Sequence, residues 1–258
     1  MNFPDFCFEK RLHKKGYQYI IGVDEVGRGC LAGPVVVAAV IFPSGLYKQK
    51  GPLTLNCKQK LLTVDDSKRL TSDKRELLSL EIKKIALTYD ITEISVAVIN
   101  RIGISKAVMK GMRKTIKDVR RKVEVMDNGK WIREKSKEKK LKNLSEENPK
   151  SQVEALANNT RRYYVLVDYF NIPYLPKFGK KNQKGITKGD QRSISIAAAS
   201  VIAKVYRDGL MKRLAKKKNY RKYCWEKNKG YGTLDHTKAI KKYGLTRYSH
   251  LKTKCQIL

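Results

Sequence analysis

The chain alternates between short, densely apolar runs and long polar stretches rich in lysine. The first run, Tyr19-Ile20-Ile21-Gly22-Val23, is mostly β-branched and gives way to Asp24-Glu25-Val26-Gly27-Arg28-Gly29, a pattern that predicts a strand ending in a glycine-bracketed turn. After Gly33-Pro34, the residues Val35 to Phe42 are apolar without interruption, which predicts a strand buried on both faces, ended by Pro43-Ser44-Gly45. A polar, lysine-rich stretch follows to about Thr63. Thr71 and Ser72 are then plausible N-caps for a helix whose apolar face falls on Leu77, Leu80 or Glu81, and Ile85. A strand and a turn are expected within Ile91 to Val98, and Val108, Met112, Thr115, Ile116 and Val119 predict an amphipathic helix from Ile104 to Val119.

That periodicity stops at Arg120. Lys130 to Lys142 is almost entirely charged and Leu144 to Lys150 is polar with a proline, so an insertion over about 121–160 is expected, a charged helix plus loop that is either a solvated excursion or a binding arm. Order returns with Tyr163-Tyr164-Val165-Leu166-Val167, a strand that ends at Asp168. The basic loop Lys177 to Gly189 delivers Asp190 just before Ser193-Ile194-Ser195-Ile196. Ala197-Ala198-Ala199 with Val201, Ile202, Val205 and Tyr206 predicts a helix buried on most of its surface, its small residues implying close packing on a sheet. From Lys204 to Lys254, cations far outnumber Asp208, Glu226 and Asp235, and tyrosines and Trp225 are interleaved among them.

A chain of 258 residues with 41% hydrophobic content can bury a real core as one large domain or two modest ones. Its charge is the outlier: 57 Lys and Arg against 24 Asp and Glu give a formal net charge of +33. A compact chain this positive repels itself, so a polyanionic partner, nucleic acid first, is the leading explanation beside a general lysine bias. Cys7, Cys30, Cys57, Cys224 and Cys255 form no CxxC pair and read as reduced thiols. His13, His236 and His250 have no zinc-site spacing, so any metal is expected on oxygen ligands. The N-terminus lacks an apolar signal region, and the longest apolar run is far short of the ~20 residues that span a bilayer. The expectation is a cytoplasmic protein with no membrane partner.

Carboxylates close two separate strands, at Asp24-Glu25 and at Asp168, and Asp190 precedes a helix. Taken singly, the first pair also fits a conformational surface turn and Asp190 a helix-terminal contact. If the first and fourth strands are neighbours, all four converge. Clustered acids resist ionising together, so such a site makes sense mainly with divalent cations, and hard oxygen ligands favour Mg²⁺ or Mn²⁺. Two such ions suit phosphodiester hydrolysis. A dinucleotide-binding reading of Gly27-Arg28-Gly29 fails, because the third glycine is misplaced and Pro34 with a β-branched run stands where a helix should begin.

Val23-Asp24-Glu25-Val26-Gly27-Arg28-Gly29-Cys30-Leu31-Ala32-Gly33-Pro34-Val35-Val36, then Asp66-Ser67-Lys68, Val165-Leu166-Val167-Asp168, Lys188-Gly189-Asp190, Ser195 to Val205 and Lys229-Gly230-Tyr231-Gly232-Thr233 together resemble bacterial ribonuclease HII in order and approximate spacing. The resemblance covers most of Tyr19 to Tyr248. It implies an α/β, ribonuclease H-like fold with a mixed central β-sheet flanked by helices, and a helical C-terminal region. We divide the chain accordingly into a catalytic domain over 1–210, carrying the basic insertion, and a basic, aromatic-rich region over 211–258. The implied activity is metal-dependent cleavage of RNA in RNA–DNA hybrid duplexes, including single ribonucleotides in duplex DNA; a monomer is the default expectation. Asp24, Glu25, Asp168 and Asp190 then become the catalytic, metal-binding acids. Gly27, Arg28 and Gly29 become the turn that senses the 2′-hydroxyl, the group that distinguishes RNA from DNA. Tyr231 matches an aromatic residue that stacks on the neighbouring sugar, although packing within the C-terminal region is an alternative role. Lys68, Lys188 and Lys204 are candidate phosphate contacts. Ribonuclease HIII, the nearest alternative, usually has serine and lysine in the turn where this chain has Val26 and Arg28. A non-catalytic nucleic-acid-binding module is the alternative of another class, and the retained acids speak against it. The chain departs from the family in placing Tyr169-Phe170-Asn171 after Asp168, where a glycine turn is usual, and in the length of Tyr47 to Thr63 and Arg121 to Thr160.

Overall fold

A computed structural model describes residues 4–48, 71–138, 162–176, 178 and 181–251. Within them, β1 (Tyr19–Val26), β2 (Val35–Ile41), β3 (Thr88–Ile94), β4 (Tyr163–Asp168) and β5 (Gln183–Ile186) form one five-stranded sheet in the order β3-β2-β1-β4-β5. β1, β2 and β3 pair antiparallel, whereas β4 and β5 run parallel to β1 and extend the sheet on its other side. The sheet is therefore mixed, and the first and fourth strands are neighbours.

Helices cover both faces, which explains why β2 is apolar throughout. Successive strand residues point to opposite sides. Ile20, Val36, Ala38, Val40 and Leu166 thus pack under helix α6 (Ile194–Ala215), while Ile21, Val23, Val35, Val37, Ala39 and Val165 pack under α5 (Ile104–Glu138). A third cluster, Leu31, Ala32, Met211, Tyr223, Trp225 and Ile240, holds the C-terminal α7 (Trp225–Asn228) and α8 (Leu234–Tyr243) against the end of α6 and the loop after β1.

Helix and sheet approach closely at Gly22. A Cβ there would run into the backbone carbonyl of Ser195 at the start of α6. The same region is tied down by the N-terminal α1 (Cys7–Lys14). Glu9 is fully buried and accepts the Ser193 hydroxyl at 2.6 Å and the Ser195 N–H at 3.0 Å; its burial pushes the carboxyl above its usual range.

Several elements differ from the sequence expectations. In α3 (Ser72–Ile85) the buried stripe is Leu78 and Ile82, with Ile85 half-buried beside them, while Leu77 and Leu80 are 63% and 53% exposed. Both stripes have helical spacing, and contact with α6 selects the one. The expected turn after β3 is the helix α4 (Val96–Ile102), capped by the Ser95 side chain. The amphipathic helix does not end at Val119 but runs to Glu138 as α5, and Val123 is buried, so the first part of the expected insertion continues a core helix. The loop from Lys177 to Gly189 contains β5. The short α2 (Gly45–Lys48) occupies the start of the lysine-rich stretch. The remainder of that stretch to Thr63, Asp66-Ser67-Lys68 and the polar segment Leu144 to Lys150 lie outside the described residues. Among the described residues Cys7, Cys30 and Cys224 are free thiols, and no helix is long and apolar enough to cross a membrane.

Because α6 rests on β1 without an intervening side chain, Gly22→Ala is expected to destabilise the fold by about 1–3 kcal/mol. Denaturant titration should show a lower midpoint with an unchanged slope.

Candidate active site

The parallel pairing of β1 with β4 determines the acidic cluster. Val23 lies opposite Val167 in the register, so one residue further on Asp24 and Asp168 stand side by side, both on the α6 face. Glu25 is next in β1 and turns toward the other face, yet, one residue before the end of the strand, it lines the same cleft. Asp190 enters on a 3₁₀ turn, Gly189–Gln191, that leads directly into α6. This turn is fastened to β4: the Gly189 N–H donates to Asp168 Oδ1 at 2.7 Å. The four acids line a single cleft of about 380 Å³ together with Val26, Gly27, Arg28, Gly29, Arg75, Ser200, Val201, Lys204 and Tyr231.

The glycine-arginine-glycine turn is held from behind. Arg207, fully buried, donates through Nε to Pro34 O at 2.9 Å, through Nη1 to Lys229 O at 2.9 Å and through Nη2 to Ala32 O at 3.1 Å. One guanidinium thereby joins the β1–β2 connection to the loop carrying Tyr231. Gly27, at φ 108°, has no room for a Cβ beside the Arg207 side chain. Arg28 faces the cleft, 3.5 Å from Glu25 Oε1 and 5.5 Å from the centre of the Phe170 ring.

Tyr231 is 38% exposed, with Lys204 Nζ at 5.2 Å and the Arg207 guanidinium at 5.7 Å from its ring centre. Its carbonyl accepts from His236 Nδ1 at 2.9 Å, and His236 Nε2 accepts the Trp225 indole N–H at 2.9 Å. Burial lowers the His236 pKa, in keeping with a neutral imidazole that fixes this loop. Burial and the adjacent Cys30 thiol push the Tyr231 phenol up to about 12.

The family model for ribonuclease HII matches residues 21–148 and 122–256 of the chain. The chain belongs to the ribonuclease HII family. It is 37% identical over 237 residues to the ribonuclease HII of Caldanaerobacter subterraneus subsp. tengcongensis, covering 92% of this chain and 74% of that one. Identity to the Acholeplasma laidlawii ribonuclease HII is 35% over 253 residues, 98% of this chain and 95% of that protein. Among solved structures, a chain of the PCNA:RNase HII complex from Archaeoglobus fulgidus superposes with a TM-score of 0.61 at 19% identity, covering 92% and 94% of the two chains. That last likeness carries the fold. Family membership makes this a ribonuclease H-type endonuclease acting on nucleic acid.

Of the residues singled out in the sequence, Asp24, Glu25, Asp168, Asp190, Gly27, Arg28, Gly29, Tyr231 and Lys204 meet in the ribonuclease HII cleft. Lys188 does not. It is exposed, in left-handed backbone geometry at φ 53°, and stands outside the cleft lining. Lys68 falls outside the described residues. Lys204 is engaged with Asp208 Oδ1 at 2.9 Å, and Arg75 approaches the other oxygen of Asp208 at 3.9 Å. Sequence reasoning missed Arg75, Ser200 and Arg207. Ser200, Lys204 and Asp208 recur every fourth residue and so share one face of α6, a spacing readable from the chain; nothing local marked Arg75.

Burial raises the Asp24 pKa well above its usual value, and the Glu25 charge raises it further, while the Ser200 hydroxyl bond opposes both. Glu25 is pushed up to about 7, first by burial and then by Asp168, against the pull of Arg28. The donor set is all carboxylate and under mutual repulsion, which suits Mg²⁺ or Mn²⁺. Among the described residues, no three His, Cys, Asp or Glu side chains are already gathered into a ligand shell. The acids share the cleft without closing on one point.

A carboxyl with a raised pKa binds its proton more tightly in the folded protein, so its contribution to stability is lost as pH rises from about 4.5 to about 7. Without metal, Glu25→Gln should therefore gain stability relative to the parent over that window, on the order of 3 kcal/mol at pH 8. Denaturation of both proteins in EDTA at pH 5 and pH 8 checks this, and added Mg²⁺ should stabilise the parent more than the variant.

Proposed function

We propose that this enzyme hydrolyses the RNA strand of RNA–DNA hybrids and nicks duplex DNA 5′ to single embedded ribonucleotides, acting as a monomer. The observation that carries the reading is the convergence in one cleft of the β1/β4 carboxylates and the Gly27-Arg28-Gly29 turn. Asp24, Glu25, Asp168 and Asp190 would hold two divalent ions, whose charge supports activation of a water and stabilises the leaving oxygen. The bond broken is between phosphorus and the 3′-oxygen of the preceding nucleotide, so the products carry a 5′-phosphate and a 3′-hydroxyl.

The chain's own residues set which phosphodiester is presented. Arg28 and the backbone of Gly27 and Gly29 offer donors to the 2′-hydroxyl, and the absence of side chains at the glycines permits close approach of the sugar. Tyr231, braced by Lys204, Arg207 and the His236–Trp225 pair, presents a ring to the adjoining sugar. Arg75 joins Lys204 as a cation facing the phosphates from the α3 side of the cleft. The basic residues of 211–258 add salt-sensitive contacts to the duplex backbone.

Incubation with Mg²⁺ or Mn²⁺ should nick a DNA duplex containing one ribonucleotide at its 5′ side and leave an all-DNA duplex intact. Asp168→Asn should lose this activity by several orders of magnitude while melting normally. An uncut ribonucleotide duplex, or an Asp168→Asn protein as active as its parent, contradicts the reading.

A further inference from the structure

The residue following Asp168 is held in a conformation that bulky side chains rarely adopt. Tyr169 has φ 71°, in the left-handed region, where a non-glycine residue is strained. Its side chain is nevertheless 68% exposed, so burial of the ring does not offset that strain. The conformation is fixed by its surroundings. The Tyr169 N–H donates to Ile186 O at 2.8 Å and the Phe170 N–H to Asp168 O at 3.0 Å. Further along, Ile172 is bonded on both backbone groups by the Gln183 amide, at 2.8 Å and 2.9 Å. Phe170, on the other side, lies under Arg28 of the cleft. Tyr169 is thus a rigidly mounted, outward-facing ring between an acid of the cleft and the support of its arginine, within about 3.8 Å, Cα to Cα, of each neighbour.

We propose that Tyr169 is a substrate-binding residue, a second aromatic contact that packs on the sugar–phosphate flank of the bound duplex at the β4 rim of the cleft. Tyr231 lines the cleft beside Cys30 of the β1–β2 connection. An amphipathic ring suits this role: its face covers a sugar, and its hydroxyl is chemically suited to meet phosphate or water. The inference rests on the nuclease reading of the cleft for the identity of the ligand, and on the Tyr169 geometry for the contact.

The test exploits the strain. Tyr169→Gly removes the ring and relieves the left-handed backbone, so the variant should melt at or above the parent's temperature. Binding of a fluorescein-labelled RNA–DNA hybrid, read by anisotropy in EDTA, should weaken roughly fivefold or more, and KM for cleavage should rise similarly with kcat nearly unchanged. Tyr169→Phe should retain most of the affinity. Tyr174→Gly is the matched control: Tyr174 is also left-handed, at φ 52°, and 92% exposed, but it follows Pro173, whose carbonyl is bound by Arg113 of α5 on the other face of the sheet. Its removal should leave both constants unchanged. Parental Kd and KM in Tyr169→Gly, or an equal loss in Tyr174→Gly, would overturn the assignment. A parent protein that binds the hybrid but cuts nothing overturns the nuclease reading alone, since the anisotropy arm still decides Tyr169.

Discussion

The contact between α6 and β1 at Gly22 is the constraint on which the cleft depends. With no side chain between them, the helix starts directly over the strand that ends in Asp24 and Glu25. Its N-terminal approach then carries Asp190 to the cleft, its second turn brings Ser200 to Asp24, and Lys204 and Arg207 follow on the same face. The small residues Ala197, Ala198 and Ala199 continue the close approach. Glu9 of α1 fixes the start of the helix through Ser193 and Ser195, and Arg207 fixes the far side through three carbonyls. The positions of the helix-borne groups follow from this one packing decision, as those of the strand-borne acids follow from the pairing of β1 with β4.

The cluster so assembled works against stability. Asp24 and Glu25 are desolvated beside Asp168, and both resist ionising. A fold without a ligand to neutralise them would gain from their loss, which is the physical reason for associating the cleft with divalent cations and phosphate. Outside the cleft, the surplus of positive charge has the complementary logic: a chain of net charge +33 is least strained when bound to a polyanion.

Much of this was legible in the chain. The uninterrupted apolar run of β2 announced burial on both faces, and the strand ends at Asp24 and Asp168 announced the acids. What local pattern did not contain was selection among equivalent periodicities. Leu77 and Leu80 compete with Leu78 and Ile82 for one helical face, and only the position of α6 chooses between them. The continuation of α5 past Arg120 was masked by charge, although Val123 keeps the core spacing. β5 is short and polar, and its pairing with β4 is a long-range event that no window along the sequence displays. The buried guanidinium of Arg207 was indistinguishable from its many basic neighbours. Lys188 is the converse case: its place in a motif does not put it in the lining of the cleft, and a contact with phosphate there is a proposal for the exposed rim.

The proposed chemistry requires Asp24, Glu25, Asp168 and Asp190 to act together as one divalent-cation site. Titration of Mn²⁺ into the protein, followed by the paramagnetic resonance signal of free Mn²⁺, tests it most directly. Saturable binding to the parent is expected in the presence of a non-cleavable hybrid, abolished in Asp24→Asn and Asp168→Asn and retained in Lys188→Ala. Unaltered Mn²⁺ binding in the two aspartate variants would contradict it.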